Sequence, residues 1–452
     1  MSTNETKPRV SLLARFITCI LALAAFSLAQ ASPRIEHWTT DNGARVYFVH
    51  APELPMVDIQ FIFDGGSARD GDNKGVALLT SALLDQGAGD LDADAIAARL
   101  EDVGAQLSTS SHRDMAVVSL RSLTDETLLQ PALDIMALIL GKPTFPANSI
   151  ERERKRMLIA LQGQSQSPGK IASKTFFKAI YGDHPYAIQP LGSEDSVKAL
   201  TRDDLIAHYQ RYYVARNAVV AVVGALDRGA VEAIVAQLSG MLPEGQAAAP
   251  LPDVAALQES KEIDIEFPSS QTHVLMGQPG MRRGDADYFP LYVGNHVLGG
   301  SGLVSRISEE VREKRGLAYS AYSYFSPMRQ AGPYTLGLQT RNDQKDEALT
   351  VLRDTLETFI DQGPTARELK ASKQNITGGF PLRISSNGKI ANNLAVIGFY
   401  KLPLDYLETF NSKVEAVTVE QIRAAFQKRI HPDRMVTVTV GGAPAQASGG
   451  GS

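Results

Sequence analysis

The sequence predicts an α+β protein built of two homologous domains, and three observations carry that prediction. Strand-like and helix-like segments follow one another in mixed order rather than in strict βαβ alternation. The segment VKALTRDDLIAHYQRYYVARNAVVAVVG, residues 197–224, aligns without a gap on VEAVTVEQIRAAFQKRIHPDRMVTVTVG, residues 414–441. Val197, Ala199, Thr201, Gln210, Val223 and Gly224 are matched there by Val414, Ala416, Thr418, Gln427, Val440 and Gly441. Between the copies the composition shifts to PEGQAAAPLPDVAAL, rich in Pro and Ala and without periodicity, which reads as a linker. Each copy is far longer than a solenoid unit, so the repeat is a doubled domain and not an array. The expected organisation is a first domain over 32–241, a linker over 242–257, a second domain over 258–442 and a flexible tail over 443–452. Each domain should be a mixed or antiparallel sheet packed with helices.

Taken in order, residues 1–31 read as an export signal. Lys7, Arg9 and Arg15 precede the apolar run Phe16 to Leu28, and Ala29-Gln30-Ala31 has the small, any, small pattern of a signal-peptidase site. The run is short for a membrane span of roughly 20 residues, so the expectation is secretion, with the periplasm as destination and no span in the mature chain. Cys19, the only cysteine, falls in this leader, which excludes disulfides and thiol catalysis from the mature chain. Loss of Glu5, Lys7, Arg9 and Arg15 takes the formal charge from -5 to -7, and no basic stripe is present, so nucleic acid is not an expected partner.

Arg45 to Val49 and Val57 to Phe63 read as strands broken by Asp64-Gly65-Gly66. Gly75 to Leu84 and Ala93 to Val103 read as helices, the second closed by Gly104, and Met115 to Leu120 as a strand. Leu128 to Leu140 and Ile150 to Gln162 are helical. Glu151 and Glu153 with Arg152, Arg154, Lys155 and Arg156 read as a solvated helix face. A helix around Asp203 to Tyr212 and the strand Ala218 to Val223 close the first half.

The stretch Leu298 to Phe325 is the most informative. Gly299, Gly300 and Gly302 read as a loop opening a helix, with Leu303, Ile307 and Val311 on one face. Lys314 and Arg315 lie in its last turn and Gly316 is its left-handed cap. A strand follows in which Leu317, Tyr319, Ala321, Ser323 and Phe325 share one face. The tight turn can aim Arg312 and Tyr319 at one point. Read locally, Arg312 is first a solvated helix residue and Tyr319 a strand-packing aromatic. The glycines lack the Lys-Ser/Thr of a phosphate loop.

The glycine loop, the RE-x-x-GLAY segment from Arg312 to Tyr319, the helix led by Gly75-Val76-Ala77, the His184-Pro185-Tyr186 triplet and the doubled domain together resemble the pitrilysin and mitochondrial-processing-peptidase family. Its members are zinc peptidases whose two homologous chains or halves form a clamshell, with an HxxEH motif in the active half. The resemblance spans roughly residues 40–442. It implies two ligand histidines, a glutamate base and a later glutamate ligand. Here those positions hold Leu78, Ala82, Ser81 and Ala160, and none can serve. The histidines, at 37, 50, 112, 184, 208, 273, 296 and 431, are too scattered for a two-histidine helical site.

The resemblance matches Arg312 and Tyr319 to an arginine and a tyrosine that the family carries in its other half. A phenol there can donate to a developing oxyanion, and a guanidinium can hold a substrate carbonyl or carboxylate. The resemblance therefore implies a non-zinc subunit of a heterodimeric peptidase acting on peptides. It would contribute Arg312 and Tyr319, with Gly299, Gly300 and Gly302 near substrate, no cofactor of its own, and zinc and base from a homologous HxxEH-containing subunit. A catalytically silent scaffold or peptide-binding homologue is the alternative. His184 reads first as a structural turn residue.

Overall fold

The computed structural model describes residues 33–443; the expected leader and nearly all of the tail lie outside the described residues. Strands β1 (Glu36–Thr39), β2 (Arg45–His50), β3 (Met56–Phe63), β6 (Gln106–Ser111), β7 (Ala116–Leu123) and β8 (Ala218–Gly224) form the first sheet. The short pair β4 (Gly87–Ala88) and β5 (Leu91–Asp92) lies apart from it. The second sheet contains β9 (Lys261–Pro268), β10 (Gln271–Pro279), β11 (Ala318–Phe325), β12 (Pro333–Arg341) and β13 (Val436–Ala443).

The spatial orders are β1-β2-β8-β3-β7-β6 and β11-β12-β10-β13-β9. Without β1, and with the second order reversed, the two are the same path. In each, the first strand runs parallel to the last (β2 to β8, β9 to β13) and every other pairing is antiparallel. The repeat seen in sequence is therefore a repeat of topology. Its local devices repeat too: Thr201 and Thr418 each open a helix through a capping box, with Asp204 and Gln421 reaching back to the cap.

The central strands β2, β3 and β8 of the first sheet are buried on both faces, which explains why β8, AVVAVVG, shows no polar alternation. Val220 and Val222 join the core of their own domain, while Val219, Ala221 and Val223 join the core built by the second. What covers that second face is helix Asn387–Tyr400, contributed by the other domain and packed across β8, β3 and β2. The exchange is reciprocal. Helix Pro168–Tyr181 of the first half lies across β10 and β13 of the second. Close approach is allowed by glycine on each side: a Cβ at Gly398 would meet the Tyr47 ring at 2.6 Å, and one at Gly277 would meet the Phe176 ring at 3.0 Å.

Polar contacts fasten the same junction. Asp114 accepts hydrogen bonds from Tyr186 Oη at 2.5 Å, Tyr400 Oη at 3.0 Å and the Arg329 N–H at 2.8 Å. Burial and the Asp114 carboxylate push both phenols well above their usual range. The stretch 242–257 carries no helix or strand, yet it is held down. His184 bonds the Pro252 carbonyl at 2.9 Å, Gln330 donates to the Leu251 carbonyl at 2.8 Å, and Ala248 N–H donates to Asn217 at 3.0 Å.

Candidate functional site

The site is built where the second domain turns from helix into edge strand. The expected helix from Leu303 does not begin there. Gly302 has φ +66°, Ser305 is extended, and the helix starts only beyond Ser305, whose hydroxyl accepts from Ser308 N–H at 3.3 Å. Ile307 and Val311 are buried as expected, whereas Leu303 is 63% exposed and Val304 84%. Arg306 orders this start: its Nε and Nη2 hold Glu368 at 2.6 and 2.7 Å. Burial would raise the Glu368 carboxyl, but the Arg306 fork and the Thr365 hydroxyl and N–H outweigh it and bring it down to about 2.

Over Ser308–Glu313 the backbone widens into a π-turn, and Gly316, at φ +64°, ends it, with its N–H on the Arg312 carbonyl at 2.9 Å. The strand then departs from simple alternation. Ala318 pairs with Thr340 and Ser320 with Gln339, so Tyr319 is an extra residue, a β-bulge. The bulge corrects the expected face assignment: Ala321 and Ser323 point into the core, but Tyr319 is turned out and is 82% exposed. The Arg312 guanidinium sits over its ring, 5.1 Å from the centroid. Neighbouring charges are mostly satisfied elsewhere. Lys314 bridges Glu309 and Glu310 at 3.2 and 2.6 Å, and Arg315 takes Glu310 at 2.7 Å, leaving Arg312 with Glu313 at 3.5 Å. Arg312 and Tyr319 are thus brought together, partly open and held from below.

The three glycines divide. Gly299 is buried, with Ser323 N only 2.3 Å from where a Cβ would lie, so it lets the loop settle onto β11. Asn295 and Ser323 lock that contact through bonds of 2.7 and 2.8 Å. Gly300 and Gly302 are exposed. The role of Asn295 was not legible in sequence; its position one turn before the glycines is the only hint.

The first half offers no metal centre at helix Val76–Leu83. Leu78 and Ala82 are partly buried, Ser81 is 1% exposed with no hydrogen-bond partner for its hydroxyl among the described residues, and Ala160 is an exposed methyl. These side chains do not fit zinc, and among the described residues no three His, Cys, Asp or Glu converge on one point. Asp70 caps the helix, accepting from Gly75 and Ala77 N–H at 2.7 and 3.0 Å. Burial nevertheless pushes its carboxyl up to about 7. His208 is a core histidine on the Gly65 carbonyl at 3.1 Å, and burial lowers it to about 4. His184 stands in its turn, accepting from Tyr186 N–H at 3.1 Å.

Two α/β domains of one topology, without a metal-holding set at the helix where peptidases of this architecture carry theirs, define an inactive-type metallopeptidase fold. The family model described as "Insulinase (Peptidase family M16)" matches residues 45–193, and that described as "Peptidase M16 inactive domain" matches residues 199–376. The chain belongs to peptidase family M16. A crystal structure titled as the peptidase M16 inactive domain from Pseudomonas fluorescens is 43% identical, with TM-score 0.88, and the match covers 91% of this chain and 99% of that one. The "Non-peptidase homolog YmxG" of Helicobacter pylori is 27% identical over 89% of this chain and 93% of its own length. The periplasmic protease PqqL from Escherichia coli shares the fold at 17% identity and TM-score 0.76; the match covers 91% of this chain but 46% of that one.

Proposed function

We propose that this chain is the non-zinc subunit of a two-chain M16 peptidase, presenting Arg312 and Tyr319 to a substrate held at the zinc site of a homologous HxxEH-containing partner. The observation that carries this reading is the bulge at Tyr319, which sets an exposed phenol against a guanidinium beside an edge strand. A side chain selected only for packing would not need that departure from the ladder. The phenol hydroxyl is a donor for a developing oxyanion; the guanidinium holds a peptide carbonyl or carboxylate. Gly300, Gly302 and the exposed Leu303 and Val304 form the rim a peptide or partner would meet, and Gly299 fixes the loop's height. The 46% coverage of PqqL supports pairing, since a chain of that length has room for two such units. Export of the chain, with residues 1–31 as its signal, belongs to the same reading; no described helix is long and apolar enough to cross a membrane.

A second reading, a scaffold or peptide-binding homologue without a part in turnover, is favoured by the Helicobacter relative, which is named a non-peptidase homolog. Steady-state kinetics of the reconstituted pair decides. Tyr319→Phe removes only a hydroxyl, so assembly persists while turnover falls; unchanged turnover in both Tyr319→Phe and Arg312→Ala leaves the scaffold reading.

A further inference from the structure

Beside the glycine loop lies a second feature, a cleft of about 560 Å³ reached past Gly300 and Ser301. Its walls are aromatic. Tyr288 and Tyr292 stack with ring centroids 5.7 Å apart, and Tyr324, from the same edge strand as Tyr319, closes the side toward the loop. Its charge is one-sided: Arg283 and Arg383 line it, and no Asp or Glu does. Neither guanidinium has a carboxylate partner among the described residues, whereas Arg306 and Arg429 each hold one at under 3 Å. Among the described residues Arg383 donates only to Tyr292 Oη, at 2.9 Å, and the buried Nε of Arg283 finds no acceptor. His296 does not add charge. Its nitrogens are taken by Asn375 and Ser372, at 3.1 and 2.9 Å, and burial lowers its affinity for a proton.

Two guanidiniums inside an aromatic cleft, on a chain with formal charge -5, have no counter-anion among the described residues. Planar forks of this kind match the two oxygens of a carboxylate, and the tyrosine faces suit an apolar or aromatic side chain next to it. We propose that this cleft is a recognition pocket for a peptide carboxylate, engaging Arg283 and Arg383 while the neighbouring residue packs on Tyr288 and Tyr292. The proposal rests on the reading of this chain as a peptide-handling partner and specifies the peptide class: one with a carboxylate, terminal or side-chain, a short distance along the chain from the segment at Arg312 and Tyr319.

The test is direct binding to the unmodified chain, without its partner and without turnover. Three fluorescein-labelled octapeptides share a neutral sequence: one ends in Phe with a free carboxylate, the second in Phe amide, and the third in Phe amide with an internal Glu. Charge-assisted hydrogen bonds set the scale, so the free acid should bind roughly 10- to 100-fold more tightly than the plain amide. If the internal Glu restores affinity, the pocket reads a side chain; if it does not, it reads a C-terminus. Arg383→Gln, at an exposed position, should bring acid and amide together, as should Arg283→Gln in a chain with an unchanged melting profile. Equal affinity for all three peptides, no binding at millimolar peptide, or discrimination that survives both substitutions would overturn the proposal. Tyr319→Phe separates the two readings: it should leave this binding unchanged, and a reconstituted pair indifferent to Tyr319→Phe removes the role in turnover without touching the pocket.

Discussion

The edge strands β6 and β11 occupy the same place in two sheets of one topology, and each is entered through a glycine at φ +64°, Gly104 and Gly316. What surrounds the two glycines differs. Four residues before Gly104 stands Leu100, and three after it Leu107, both packed into the first core; the corresponding places around Gly316 hold Arg312 and Tyr319. The first strand pairs with β7 without a register shift, whereas β11 carries a bulge. The first helix ends in an ordinary turn and the second in a π-turn. Within a doubled fold, shared topology is held by apolar pattern, and the site arises from three local departures that the apolar core tolerates: a wider turn, an extra residue and two polar side chains.

The comparison can be broken most severely by separating the halves. Expressed alone, residues 33–241 and 258–443 each lose the helix that covers one face of their sheet, so neither should show a cooperative thermal transition, and mixing should restore one. Two separate sharp transitions in calorimetry would mean that the exchanged helices are ornaments. Next in size, Phe176→Ala removes a buried ring of the first half from the second sheet and should cost about 3–5 kcal/mol, read by denaturant unfolding. Tyr319→Phe should lower turnover of the reconstituted pair roughly 10- to 1,000-fold with stability unchanged, while substitution of Leu107, its counterpart, should act on stability alone.

A pH titration sharpens the contrast further. Asp70, in the first half, has a carboxyl raised by burial from 3.8 to about 7, so the folded state holds its proton more tightly. Its contribution to stability is present below 3.8 and is lost as pH rises toward 7, with a slope of at most about 1.4 kcal/mol per pH unit. Glu368, in the second half, is lowered from 4.5 to about 2, and its contribution is present above 4.5 and lost as pH falls toward 2. Asp70→Asn should flatten the first slope and Glu368→Gln the second, each measured by melting across pH. Smallest of all, Val304→Ser should change stability by about 0.5 kcal/mol or less and weaken assembly with the partner, seen by analytical ultracentrifugation.

Much of this fold was legible because its signals are local. Arg45 to Val49 and Val57 to Phe63 became β2 and β3, and Ala93 to Val103 became the helix before Gly104, through patterns that short-range geometry enforces. The site was half legible. The spacing of Arg312 and Tyr319 across a glycine cap pointed to their meeting, but alternation placed Tyr319 on the wrong face because one inserted residue reverses the outcome. The spacing of Leu303 to Ile307 fits one helix face, but Gly302 at φ +66° and the extended Ser305 break the helix before it. The exchange of helices left no trace in sequence. Pro168–Tyr181 looks like any amphipathic helix, and which sheet it covers is decided by contacts more than a hundred residues away.

That exchange also sets a timetable. The last strand of the first sheet ends at Gly224, and the helix that covers its open face ends at Tyr400, 176 residues later. At about 5–20 residues per second, a growing chain would carry that sheet uncovered for roughly 9 to 35 s. Val219, Ala221 and Val223 would then be exposed to any other apolar surface nearby. A chain of this design benefits from being kept unfolded until it is whole, which is the condition that threading through a membrane imposes and that folding during synthesis does not.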